Sequence, residues 1–242
     1  MSHATGERPA AEDGTSLAAV LRSWTPAPDA GLLQLLDGAD DWAIHPETAS
    51  LLDFLIHVRR PRSVLEFGAG RSSLVIARAL AGIGGGQLTS IEHQPDFARA
   101  SWQRITQFPS VDATLVPSRL ALRLSRCGVM HTFIDTQSEL RDRGPFELIF
   151  IDAPPGQLGR DATLFTASPY LAPGAIALLD DAARQAEKTA LSRWRRGLRT
   201  TTVLHSDHVG RGVSVVEVPS PGAARFSLRT FLGTMHDRLT NQ

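Results

Sequence analysis

The sequence predicts a doubly wound α/β domain with a mostly parallel sheet, and three observations carry that reading. A short apolar run, Val64-Leu65-Glu66-Phe67, ends in Gly68-Ala69-Gly70 and leads straight into the alanine-rich segment 72–81. A second run, Gln87-Leu88-Thr89-Ser90-Ile91-Glu92-His93, closes on an acid. Two more, 148–152 and 175–179, are apolar up to Asp152 and to the pair Asp180-Asp181. Strands apolar on both faces belong to sheets covered by helices on both sides, and in such sheets the last residue of each strand meets the ligand-binding edge.

The first run reads as strand, tight turn and helix in succession. Glycine lets the backbone approach a ligand where a Cβ would collide, and the unpaired N–H groups of the helix start face the same ligand. Gly68, Ala69, Gly70, Ser72 and Ser73 are therefore candidate cofactor-binding residues. Glu66 narrows the ligand, because a carboxylate at the strand tip repels a pyrophosphate and attracts an ammonium or sulfonium group. Such turns also close ordinary βα units, so a second element is needed. Glu92 supplies it, about twenty residues past the turn, where doubly wound folds place the carboxylate that accepts hydrogen bonds from both ribose hydroxyls. A dinucleotide fingerprint requires a third glycine near position 73, which is Ser73 here. A nicotinamide cofactor is thereby disfavoured.

The chain's 242 residues, 42% hydrophobic and 21% charged, suit one globular domain with a small appendage. Lys+Arg 25 balances Asp+Glu 25, so no global field recruits nucleic acid or an anionic membrane. The single Cys127 rules out an internal disulfide framework, and the polar start lacks the apolar core of a signal peptide. The expectation is a cytoplasmic protein. Residues 1–15 read as a disordered leader, 16–60 as a helical cap, 61–218 as the catalytic unit and 219–242 as a tail with a helix over 228–239. Pairing of subunits through the tail stays open. A helix over 46–60 buries Leu51, Leu52, Leu55 and Val58, and one after Pro95 buries Phe97, Ile105 and Phe108. Residues 112–117 form a third strand, 120–136 an inserted hairpin, and 200–204 with 212–218 a closing antiparallel hairpin. Trp42 and His45 are candidate wall residues, although a packed tryptophan and a surface histidine account for them as well. Asp181 is a candidate helix N-cap, with Arg184 and Glu187 one turn apart on the helix behind it. Arg193, Trp194, Arg195, Arg196 and Arg199 read as a solvated basic helix end.

Val-Leu-Glu-Phe-Gly-Ala-Gly at 64–70 and Ser-Ile-Glu-His at 90–93 resemble the first two motifs of class I S-adenosylmethionine-dependent methyltransferases. Phe-Glu-Leu-Ile-Phe-Ile-Asp-Ala-Pro-Pro-Gly at 146–156 and Pro-Gly-Ala-Ile-Ala-Leu-Leu-Asp-Asp-Ala-Ala-Arg at 173–184 resemble the fourth- and fifth-strand motifs of bacterial members related to the catechol O-methyltransferase type. The resemblance spans about 47–218 and implies a three-layer Rossmann-like fold, mostly parallel with an antiparallel final strand. It implies methyl transfer from S-adenosylmethionine, most simply to an oxygen of a small molecule. Glu66 and the turn would hold the methionine end, Glu92 the ribose, His93 the flank of the adenosine, and Ser118 the adenine, with Asp152 at the same edge. In the resembled catechol-type enzymes an acid after the fourth strand and an Asp-Asn pair after the fifth hold magnesium. The matching residues are Asp152, Asp180 and Asp181, a hard oxygen set suited to Mg²⁺ or Mn²⁺. Without a metal, Asp152 or Asp181 would be the general base. The lysine frequent after the first acid is replaced by Ala153-Pro154-Pro155, and Gly156 stands where amine-methylating nucleic-acid enzymes carry an aromatic. Methylation of nitrogen, carbon or a peptide, and a non-catalytic nucleotide-binding module, remain the alternatives.

Overall fold

The computed structural model describes residues 16–38, 42–125, 127–222 and 228–240, so the expected leader at 1–15 lies outside the described residues. Three helices come first: α1 (Leu17–Arg22), α2 (Ala30–Leu36) and α3 (Pro46–Arg59). The sheet then opens with β1 (Ser63–Phe67), α4 (Arg71–Gly82), β2 (Gly86–Glu92), α5 (Pro95–Ile105) and β3 (Val111–Pro117). A two-stranded ribbon, β4 (Leu120–Ser125) with β5 (Gly128–Phe133), and α6 (Gln137–Arg143) follow. The second half runs β6 (Phe146–Ile151), α7 (Asp161–Ala167), β7 (Leu171–Asp180), α8 (Gln185–Gly197), β8 (Thr201–Ser206), β9 (Val213–Val218) and α9 (Leu228–Thr240).

Seven strands make one sheet in the order β3-β2-β1-β6-β7-β9-β8. Pairing is parallel from β3 to β7, and β9 runs antiparallel to both β7 and β8. This is the three-layer, mostly parallel architecture the motifs implied. Alternation along β6 shows how the layers form: Leu148 and Phe150 join the core under α1 to α5, while Ile149 and Ile151 join the core under α6, α7 and α8. Strand order reverses between β1 and β6, which continue on opposite sides, and doubly wound sheets open their ligand crevice at that point.

Several local expectations change. Val58 is exposed, Phe97 is 61% exposed, and α5 ends at Ile105, leaving Phe108 in the following turn. Both side chains sit just outside the faces that α3 and α5 bury. The helices α6 and α7, each of seven residues, went unread because they are too short to show a period. Helix α8 begins at Gln185 with Arg184 at its N-cap position, so Asp181 caps nothing. The basic end of α8 is not solvated throughout: Trp194 is fully buried, its Nε1 donates to the Asp161 carbonyl at 2.7 Å, and Arg193 pairs with the Asp161 carboxylate. The ribbon is held by α9, where Thr234 Oγ1 accepts the Val129 N–H at 3.1 Å. Gly128, at φ +115°, is required there because any Cβ would overlap the Thr234 side chain. No helix among the described residues is long and apolar enough to cross a membrane.

Because Trp194 fills the layer between α7, α8 and the sheet, Trp194→Ala should cost about 3–5 kcal/mol in a denaturant titration. A loss below 1 kcal/mol, on the order of a surface substitution, would show that α8 is not anchored through this side chain.

Candidate active site

The turn after β1 is organised from beneath by Glu66. Its side chain is fully buried, and Oε2 accepts hydrogen bonds from Ser73 Oγ at 2.6 Å and from Ser90 Oγ. Ser73 Oγ also accepts the Gly70 N–H at 3.1 Å, so the hydroxyl standing where a dinucleotide site has glycine ties the turn to the acid. Burial pushes the Glu66 carboxyl up to about 7, against the opposing pull of the Ser72, Ser73 and Ser90 hydroxyls. Its second oxygen, Oε1, is buried with no hydrogen-bond partner.

Gly68 lets two strand ends meet. It lies at φ +97°, and a Cβ there would stand 3.0 Å from the Ala153 Cβ and 3.2 Å from the Ala153 nitrogen. The contact is close because the Phe67 carbonyl accepts both the Asp152 and Ala153 N–H groups, each at 2.9 Å. On the other side Glu92 Oε2 accepts the Ala69 N–H at 2.9 Å, and Oε1 accepts the Gln94 N–H at 2.6 Å. His93 Nδ1 lies 2.8 Å from Glu92 Oε1, and its ring stands edge-on to Phe133. Ser118 is close by in the chain's path, its N–H donating to the Glu92 carbonyl at 2.8 Å. Its hydroxyl, however, is spent on the Ile134 carbonyl at 2.7 Å, joining β3 to the end of the ribbon.

The acids after β6 and β7 converge as expected, with one carboxylate oxygen from each of Asp152, Asp180 and Asp181 lying within 4.8 Å of the others. The side chain between them is Arg160, just ahead of α7 and only 3% exposed. Its Nη2 is 2.7 Å from Asp181 Oδ2 and 3.0 Å from Asp152 Oδ1, its Nη1 donates to the Asp180 carbonyl at 2.9 Å, and its Nε donates to the Pro154 carbonyl at 3.1 Å. Arg184 Nη1 reaches Asp181 Oδ2 at 2.9 Å, and Arg211 Nε reaches Asp181 Oδ1 at 2.8 Å. Asp181 itself sits in the left-handed region at φ 55°, a conformation tolerated by few residues other than Gly, Asn and Asp. Asp180 is fully buried, with Thr48 Oγ1 donating to Oδ1 at 3.3 Å and Arg211 Nη2 lying 3.9 Å from Oδ2. Burial drives the Asp152 pKa well above the usual carboxylate range despite Arg160, and burial with the neighbouring Asp181 raises Asp180.

A methyltransferase-domain family profile matches residues 65–182, from the β1 strand through the acid pair. The chain carries a methyltransferase domain. No curated protein matches it in sequence. Among solved structures, the O-methyltransferase TomG from Streptomyces achromogenes, in complex with S-adenosylmethionine (SAM), aligns with a TM-score of 0.55 at 22% identity, covering 84% of this chain and 96% of that one. The methyltransferase PaMTH1 from Podospora anserina, bound to S-adenosylhomocysteine (SAH), gives 0.56 at 17%, covering 78% and 87%. An O-methyltransferase from Bacillus cereus with SAH gives 0.53 at 18%, covering 82% and 94%. At these identities the likeness establishes the fold of the methyltransferase.

Two groups of residues near the acids of the methyltransferase were not anticipated. Arg160 and Arg211 sit in loops with no motif around them, and nothing in their local sequence connects them to Asp152, Asp180 or Asp181. From the segment before the first strand, Trp42 is 74% exposed and His45 Nδ1 accepts the Glu47 N–H at the start of α3, so neither lines the acid cluster. Thr48, on Asp180, and the Ala43 carbonyl, on Arg211 Nη2 at 3.3 Å, are what that segment contributes.

The expected divalent ion does not fit this donor set. A cation shared by Asp152 and Asp181 would coincide with Arg160 Nη2, and both oxygens of Asp181 are engaged by arginines. A guanidinium does not lose its proton, so it cannot step aside by neutralising.

The raised Glu66 pKa carries a sign. The folded protein holds this proton more tightly than the unfolded chain, so stability contributed by the protonated carboxyl falls as pH rises from about 4.5 to about 7. Thermal unfolding without cofactor should show that decline, and Glu66→Gln should flatten it. An unchanged slope in the variant would remove Glu66 as its source.

Proposed function

We propose that this methyltransferase domain takes its methyl group from SAM and delivers it to an oxygen of a small molecule. The observation that carries the reading is the meeting, at the carboxyl ends of β2, β1 and β6, of Glu92, the turn above Glu66, and Asp152. The residues suit the cofactor: Glu66 Oε1 is buried without a partner, and Gly70 faces open space. In this reading 61–218 is the catalytic unit. Glu66, Gly68, Ala69, Gly70, Ser72 and Ser73 hold the methionine end, and Glu92 accepts the ribose hydroxyls while bracing Ala69. His93 flanks the adenosine. Ser118 acts indirectly, by setting the course of the chain past Glu92. The O-methyltransferase neighbours and the chain's balanced charge support a small neutral or weakly charged acceptor, and the lone buried thiol of Cys127 suits a cytoplasmic setting.

When bound, SAM supplies a methyl group on a sulfonium, which leaves as a neutral thioether when displaced in line by the acceptor oxygen. The chain's part is to align that oxygen and accept its proton. Asp152 fits the second task best: its side chain is 17% exposed against 3% for Asp181, and its raised pKa makes it a stronger proton acceptor than an ordinary carboxylate. Asp181, with both oxygens on arginines, holds the frame. Turnover should therefore rise as pH passes upward through the Asp152 pKa.

Incubation with methyl-labelled SAM and an extract of the native host should label a small molecule, whereas label in protein or nucleic acid would redirect the acceptor class. Glu92→Ala should weaken SAM binding by roughly tenfold to a hundredfold in calorimetry, since a hydrogen bond to a charged group is worth about 1.5–3 kcal/mol. Unchanged affinity would take Glu92 out of the site. Asp152→Asn should lower turnover by roughly 10²- to 10⁴-fold while SAM affinity holds, and full activity in that variant would dismiss Asp152 as the base.

A further inference from the structure

We infer that Arg160 is the built-in cation of the acid cluster, standing between Asp152 and Asp181 in place of a divalent ion and making the site independent of metal. The inference rests on the methyl-transfer reading only for its activity arm. Its basis is the number of bonds that hold one side chain in one pose. Arg160 is 3% exposed, and its three nitrogens address the Pro154 carbonyl, the Asp180 carbonyl, Asp181 Oδ2 and Asp152 Oδ1 at 2.7–3.1 Å. Glu187, itself fully buried, lies 3.7 Å from its Nε. Carboxylates just beyond β6 and β7 and on α8, with carbonyls from the loop after β6 and from the end of β7, thus converge on one planar fork, the geometry to which guanidinium is suited and a compact ion is not.

Charge and coordination agree with this assignment. Asp152, Asp180, Asp181 and Glu187 face Arg160, Arg184 and Arg211, so the acids that would otherwise demand a metal already have cations among the described residues. Magnesium requires near-octahedral oxygen ligands at about 2.0–2.1 Å. To admit it, Arg160 would have to withdraw as a unit, giving up both backbone carbonyls and leaving a permanent charge to be placed elsewhere in the interior. The consequence for the reaction is that Arg160 is a positioning residue: it orients Asp152 through Oδ1 and keeps the acid ionisable against its burial.

Manganese EPR on the chelator-stripped full-length protein tests the inference directly. The wild type should leave millimolar Mn²⁺ free in solution, and Arg160→Gln, which keeps a planar polar end without charge, should bind one Mn²⁺ at least about tenfold more tightly. That gain should vanish in Arg160→Gln with Asp181→Asn. Stoichiometric Mn²⁺ on the wild type that is lost in Asp152→Asn would overturn the inference, as would a folded Arg160→Gln that gains no manganese. Should Arg160→Gln fail to fold, the wild-type arm still decides, because bound Mn²⁺ overturns the assignment and its absence with intact SAM binding upholds it. In labelled-SAM assays with host extract, chelation should leave transfer unchanged. A chelator-sensitive transfer restored by Mg²⁺ would overturn the inference, whereas no transfer under any condition would count against the methyl-transfer reading and leave the manganese result standing.

Discussion

One carbonyl oxygen, that of Phe67, connects the two halves of the site. By accepting the N–H groups of both Asp152 and Ala153 it ties the end of β1 to the end of β6, where the strand order turns. The glycine that follows, Gly68, is the residue that tolerates the approach, since a side chain there would press on Ala153. The turn, the acid beneath it and the first acid of the cluster are therefore held to one another by backbone, and no long side chain has to bridge them. Sites carried by the ends of rigid strands hold their geometry better than sites carried by loops alone.

The electrostatics of the two halves are solved in different ways. Glu66 is buried among hydroxyls with no cation beside it among the described residues, and its carboxyl is driven up to about 7. The cluster around Asp181 instead carries its compensation with it, in three arginines drawn from the loop before α7, the start of α8 and the turn before β9. A buried ion pair seldom adds net stability over apolar packing, but it does fix orientation. Here the oriented group is Asp152, the most exposed of the three aspartates.

Much of the fold could be read from the chain because its central strands are extreme cases. Residues 148–151 and 175–179 are apolar throughout, residues 64–67 are apolar except for Glu66, and each run ends in an acid or a glycine, a pattern that parallel strands covered on both sides produce. The turn, Glu92 and the three aspartates were legible for the same reason, since each sits at a strand tip and strand tips share an edge. The short helices α6 and α7 were not, because seven residues give no reliable period, and Phe97 and Val58 show that an apolar residue near a helix need not face its core.

What the sequence determined by itself was the class of fold, the glycine turn after the first strand and the identity of the acids. What only the tertiary structure decided was what those acids meet. Arg160 is eight residues beyond Asp152 in a loop without a motif, Arg211 precedes β9, and Thr48 stands on α3, before the sheet begins. Their convergence on Asp180 and Asp181 depends on how β7, β9 and the loop before α7 pack, a relation between distant segments that no local spacing encodes. The acids were therefore visible from their places at the strand tips, while the cations that balance them became visible only once the chain was folded around them.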